Sequence, residues 1–243
     1  MATVEEHYAR HLGPVYAWMV GDIDAALKRS ELELDALNVA TRGTGTAIDL
    51  GAGIGLHAIP LARRGFKVIA IDSDELLLRE LTSRAAPLPI RTIKADLMNF
   101  GAQARASADI ILCMGDTLTH LPSRAAVASL LKDAAAHLNP GGLFAATFRD
   151  YATAPLQGDA RFIPVRSDAE RLLTCFLEYA DTTVTVHDLL HQREGSAWRL
   201  HVSSYPKLRL APAWVADQLT ALGLNVHRET TAGGMIRIRA AAA

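Results

Sequence analysis

The stretch Ala47-Ile48-Asp49-Leu50-Gly51-Ala52-Gly53-Ile54-Gly55 decides the fold. A short apolar strand runs into a turn of alternating glycines, and an apolar helix follows through Arg64, ended by Gly65. Glycine at such a turn lets the backbone approach a ligand closely, because no Cβ stands in the way. Outward from this turn the pattern repeats. Lys67 to Asp72 reads as a second strand, and Glu75 to Arg84 as a helix left through Pro87 and Pro89. Ile90 to Ala95 is a third strand ending at Asp96, and Asp109 to Cys113 a fourth. A helix from Ser123 to Leu138 turns Val127, Leu130, Leu131 and Ala134 to one side. Asn139-Pro140-Gly141-Gly142 stops it before a fifth strand, Leu143 to Phe148. Strands alternating with helices predict right-handed crossovers and a parallel sheet. Their near-continuous apolar character predicts burial on both faces, hence an α/β, doubly wound, mostly parallel sheet.

Three segments flank this core. Residues 1–43 read as an N-terminal helical lid, with Tyr8, Leu12, Val15, Tyr16 and Met19 at helical spacing and a break at Gly21-Asp22. Thr41-Arg42-Gly43-Thr44-Gly45 is the linker into the core, residues 44–150. Residues 151–204 change to more polar strands with short turns, an antiparallel β meander expected over the ligand edge of the sheet. Residues 205–243 supply a helix opened by Pro212 and closed by Gly223, then strands Leu224 to Glu229 and Met235 to Arg239 that complete a seven-stranded sheet.

Composition narrows the function. Half of the 243 residues are hydrophobic and 21% are charged, enough apolar material for a core. With 25 Lys+Arg against 26 Asp+Glu and no basic run, nothing draws the chain to nucleic acid. The acidic start Val4-Glu5-Glu6 lacks the apolar core of a signal peptide, and no apolar run is long enough for a bilayer. The expectation is a cytoplasmic protein with a small-molecule partner, no membrane association, and room for a homo-oligomer. Cys113 and Cys175 sit in apolar stretches as reduced thiols. His187 and His191 share a strand face without a third ligand, so no metal site is expected.

The acidic residues point to a cofactor. Asp72, 19 positions after Gly53, ends the next strand, where it can take two ribose hydroxyls. A nicotinamide-binding fingerprint has the same logic, and Gly53-Ile54-Gly55-Leu56-His57-Ala58 matches its glycine form. Asp49, two residues before the first glycine, tips the choice: a carboxylate there repels a pyrophosphate but suits the ammonium and sulfonium of S-adenosylmethionine. Asp96 can accept from an adenine amino group.

The Pro140-Gly141-Gly142 turn and the closing helix-strand-strand unit resemble the class I methyltransferases, in which the last strand runs antiparallel. Met114-Gly115-Asp116-Thr117-Leu118-Thr119-His120-Leu121-Pro122, Thr147-Phe148-Arg149-Asp150-Tyr151 and Ser203-Ser204-Tyr205-Pro206 are similar to segments of the glycine N-methyltransferase group. The resemblance implies an S-adenosylmethionine-dependent enzyme acting on a small molecule, an amine before a hydroxyl. The rivals are a nicotinamide-dependent oxidoreductase and a cofactor-binding module without turnover. Asp49, Gly51, Ala52, Gly53, Asp72, Ser73, Asp96, Leu97 and Met114 are expected around the cofactor. The resemblance gives Arg149 an acceptor carboxylate. Asp116 stands where that group has Asn, so a cationic amine is expected in place of glycine. Tyr205 faces the acceptor as well, with Tyr16 and Trp18 on the lid. His120 and Asp116 are the candidate catalytic residues, His120 as general base against a structural role for the same ring.

Overall fold

Ile48 and Leu50 enter one apolar cluster while Ala47 enters another, so β1 (Thr46–Leu50) is covered on both faces. This is what a strand without alternation requires. The computed structural model describes residues 2–39 and 44–242. The first three residues of the expected linker, and the boundary drawn after residue 43, lie outside the described residues.

The strand pairs in parallel with β2 (Lys67–Asp72) and β4 (Ala108–Cys113). With β3 (Ile90–Lys94), β5 (Leu138–Phe148), β10 (Asn225–Thr230) and β11 (Ile236–Ala241), the sheet has seven strands ordered β10-β11-β5-β4-β1-β2-β3. β11 is antiparallel to both neighbours, as expected of the closing unit. Strand order reverses between β1 and β4, and a doubly wound sheet opens its ligand crevice beyond the strand ends at such a point.

Helices α3 (Ile23–Ala36), α4 (Ala58–Arg63) and α5 (Glu75–Ala85) cover one face through Leu34, Ile59 and Leu81. Helices α6 (Phe100–Ala104), α7 (Arg124–His137) and α8 (Pro212–Ala221) cover the other through Phe100, Leu130, Val127 and Leu219. β5 begins at Leu138, directly after α7, so Asn139-Pro140-Gly141-Gly142 lies inside the strand and not before it. Leu138 already pairs with Ala108, and Gly141, at φ 72, takes up the register shift that follows.

The inserted segment is an antiparallel meander of β6 (Phe162–Ser167), β7 (Arg171–Tyr179), β8 (Thr183–Glu194) and β9 (Ala197–Leu208). Its last strand runs past the boundary expected after residue 204, because Leu208 still pairs with Thr183. Ser203-Ser204-Tyr205-Pro206 therefore lies within β9 and not at its end.

Before α3 the chain forms α1 (Val4–His7), a π turn over Tyr8–Leu12 and α2 (Tyr16–Val20), and it breaks at Gly21, φ 86. A capping box of Thr3 and Glu6 starts α1. His7, fully buried, bonds Asp188 Oδ2 and Ser203 Oγ at 2.9 Å each and stacks on Tyr205 at 4.0 Å. This ties the N-terminal segment to the meander. No helix of the described residues is long and apolar enough to cross a membrane.

Candidate active site

A cavity of about 790 Å³ opens at the reversal point, floored by the glycine loop and roofed by α1 and β9. Small-molecule sites of roughly 300–1,000 Å³ are usual. One arm lies over the strand ends. Gly51 turns at φ 75, and a Cβ there would meet the Thr117 side chain at 2.6 Å, so only glycine fits. Gly53 differs: a Cβ there would meet nothing nearer than Tyr16 Oη at 3.8 Å, which leaves space between loop and lid.

Asp72 receives Gly53 N–H on Oδ2 at 2.8 Å and Asp74 N–H on Oδ1 at 2.9 Å. Each oxygen keeps a further lone pair. Burial pushes its carboxyl above the usual value, with the backbone donors opposing. Asp96 caps the turn after β3 by accepting from Met98 N–H at 2.9 Å. Ala52, Ser73, Leu77, Leu97 and Met114 complete this arm with Gly51, Gly53, Asp72 and Asp96.

Asp49 belongs elsewhere. It is 2% exposed and absent from the cavity wall, and the Ala58 N–H at the start of α4 lies near enough to favour its charged form. Oδ2 has no partner, and burial pushes the carboxyl up to about 6. The expectation that this carboxylate faces a sulfonium is corrected: its side chain shares the α4 face of β1 with Ala47.

The second arm lies under α1. His120 lines it, without a protein hydrogen-bond partner among the described residues. Burial, and then the charge of Lys207, push its imidazole down to about 3, so the ring is neutral at physiological pH. Tyr8 also lines this arm, and its ring centroid lies 5.6 Å from that of His120. Lys207 is a buried charged group on the wall, its Nζ 2.6 Å from Asp116 Oδ2.

Asp116 itself is 1% exposed and off the wall. It accepts from Arg149 N–H at 2.9 Å and Tyr151 O–H at 3.1 Å, and its Oδ2 meets the Arg149 guanidinium at 3.5 Å. Burial pushes its carboxyl up, but Lys207 and Arg149 outweigh this and hold it below the usual value. The expected Asp116 contact with the acceptor is thereby corrected, since its charge is consumed by neighbours. Arg149, 55% exposed in its side chain and absent from the wall, pairs with Asp116 in place of a ligand.

Three other expected positions shift. Tyr16 lines the cavity on the cofactor side, its hydroxyl pushed up to about 12 by burial and then by Asp72. Trp18 is off the wall, bonded to Asp168 and stacked under Arg171 at 4.6 Å on the β6–β7 turn. Tyr205 is 4% exposed and backs the site between His7 and His120, without lining it. Lys207 and Tyr8 escaped the sequence reading. A period of two along β9 points from Tyr205 to Lys207 on the same face; for Tyr8 the sequence carries no comparable signal.

Residues 47–142 match the family model of the methyltransferase domain. With the strand order above, this match supports a class I S-adenosylmethionine-dependent methyltransferase. Glycine/sarcosine N-methyltransferase of Halorhodospira halochloris is 27% identical over 125 residues, 51% of this chain and 47% of that protein. The chain spans about half the length, or less, of the curated relatives it matches. An S-adenosylmethionine-dependent methyltransferase from Clostridium acetobutylicum shares the fold with TM-score 0.75 and 16% identity, over 97% of this chain and 98% of that one. The amino pentose methyltransferase CalS10 of Micromonospora echinaspora, solved with its cofactor, gives 0.75 at 15% identity, over 90% and 92%.

The first arm fits that cofactor. Asp72 offers a lone pair on each oxygen to a ribose diol, Leu77 and Leu97 supply apolar walls for adenine beside Asp96, and the space above Gly53 admits the methionine end.

Proposed function

We propose that the chain transfers a methyl group from S-adenosylmethionine to the nitrogen of a small-molecule amine. The observation that carries this is the joining of two unlike arms in one cavity: the Gly51–Gly53 loop with Asp72 and Asp96, and the His120–Lys207 arm under α1. When bound, the cofactor supplies an electrophilic methyl on a sulfonium, so no covalent protein nucleophile is needed. The residues then have three tasks. The loop, Asp72 and Asp96 hold the cofactor; α1 and Tyr8 exclude water; Lys207 and His120 orient the acceptor. Alignment of this kind contributes on the order of 7–11 kcal/mol. His120, neutral and without a protein partner, can accept a hydrogen bond from the amine N–H and so orient its lone pair, but its lowered basicity means that the amine must reach it already deprotonated.

The naming of curated relatives as N-methyltransferases favours nitrogen over oxygen. The test is transfer of labelled methyl from S-adenosylmethionine to a panel of amines and matched alcohols. Label in an amine is the expected result. Label only in alcohols, or none despite cofactor binding, overturns N-methylation.

A further inference from the structure

We infer that the acceptor is an amino acid with a bulky apolar side chain, its carboxylate held by Lys207 and its apolar body lying against Val4, Leu121, Pro122 and Leu208. The inference deepens the methyl-transfer reading and rests on it.

Lys207 carries three N–H donors, and its one protein acceptor among the described residues is Asp116 at 2.6 Å. Its other near neighbours are the rings of Tyr151 and Tyr205, with Nζ 5.8 Å from each centroid. The residue is 7% exposed yet lies on the cavity wall. A buried ammonium with donors left over is costly unless an acceptor arrives. Asp116 does not serve Lys207 alone, since it also accepts from Arg149 N–H and Tyr151 O–H. An anionic group of the ligand gives the spare ammonium donors an acceptor. Arg149 is off the wall and turned to Asp116, so the carboxylate role falls to Lys207.

The apolar side follows from the wall. Val4, Leu121, Pro122 and Leu208 come from three separate elements and line the same cavity as Lys207. Glycine has no side chain to cover such a surface. An acceptor that leaves it wet forgoes the main non-directional source of affinity.

The experiment is isothermal titration of the full chain, preloaded with S-adenosylhomocysteine, with glycine, L-phenylalanine and 2-phenylethylamine. Phenylalanine is expected to bind at least about tenfold tighter than glycine, which lacks the body, and than phenylethylamine, which lacks the carboxylate. Lys207→Met should bring phenylalanine to within about threefold of phenylethylamine while leaving S-adenosylhomocysteine affinity unchanged. Should the single variant fold poorly because Asp116 is left unpaired, the double variant Asp116→Asn/Lys207→Met removes both charges and makes the same comparison. Glycine or phenylethylamine binding as tightly as phenylalanine overturns the inference, as does failure of the loaded protein to bind any of the three. A chain that takes up no S-adenosylhomocysteine overturns the methyl-transfer reading instead. The ranking of the three ligands on the unloaded chain then still decides this one.

Discussion

Asp72 and Asp49 stand on neighbouring strands and share a residue type, yet their surroundings give them different work. Asp72 faces the cavity with backbone N–H groups holding both oxygens in place. Asp72→Ala should weaken S-adenosylhomocysteine binding about ten- to a hundredfold, because a hydrogen bond to a charged group contributes roughly 1.5–3 kcal/mol. Calorimetry that finds the affinity unchanged would remove Asp72 from the site. Asp49 is buried beneath the loop, and its carboxyl moves from 3.8 to about 6. Between those values the folded chain holds a proton that the unfolded chain has lost, so stability falls as pH rises through the window and stays lower above it. At about 1.36 kcal/mol per unit the effect is roughly 3 kcal/mol. Asp49→Asn keeps an oxygen for Ala58 N–H but carries no charge. The ligand-free variant should melt higher than the parent near pH 8 and by much less near pH 4.5; equal melting at both values refutes the burial argument. At this scale the glycine loop and Asp72 were legible because chain neighbours decide them: a strand end, a turn and the next strand end. Lys207 was not, because it meets Asp116 across 91 positions and only the packing of β9 over the crevice brings them together.

The lid shows how an element is placed by groups outside it. α1 spans Val4–His7, too short to be stable alone, and it is held by His7 against Asp188 and Ser203. Asp188 is 2% exposed, so His7→Ala would leave it with only the Cys175 thiol among side chains. An unsatisfied buried acceptor costs about 1–3 kcal/mol. The expected outcome is faster amide exchange across residues 4–20, with β1 to β4 protected as before. Since Thr3, Val4, Glu5 and Tyr8 roof the cavity, ligand affinity should fall in parallel. Unchanged exchange in that segment would mean that the histidine does not hold the lid. Element boundaries were legible wherever apolar runs met glycine or short polar turns, as at Lys67–Asp72 after Gly65 and at Arg171–Tyr179 between Asp168 and Asp181. They slipped where pairing overrides local chemistry. Asn139-Pro140-Gly141-Gly142 reads as a stop, but Ala108 and Ala242 bind its flanks and draw it into β5. Pro206, a poor strand residue, is accommodated because β9 is the edge of its sheet.

Over the whole molecule, one detail separates the two cofactors that the glycine loop alone could not. A pyrophosphate seeks the N-terminus of the helix after the loop, where free N–H groups and the positive end of the helix dipole await it. In this chain Asp49 already stands near that end of α4, close to the Ala58 N–H, and a second anion would meet its charge. A dinucleotide is disfavoured there, whereas S-adenosylhomocysteine brings no phosphate. The cavity joins the glycine loop, the ends of β2 to β4, the lid and β9, so a ligand in it braces both sheets at once. At about 100 times its dissociation constant, such a ligand adds roughly 2.7 kcal/mol of stability. For a chain of this size the melting temperature should rise by about 5–10 °C. S-adenosylhomocysteine should produce that rise in a thermal scan and NAD should not. The Asp49→Asn variant sharpens the comparison, since it lifts the repulsion without touching the cavity wall. It should retain the S-adenosylhomocysteine response in full. A rise with NAD in the parent protein, and none with S-adenosylhomocysteine, would mean that the loop serves a dinucleotide after all.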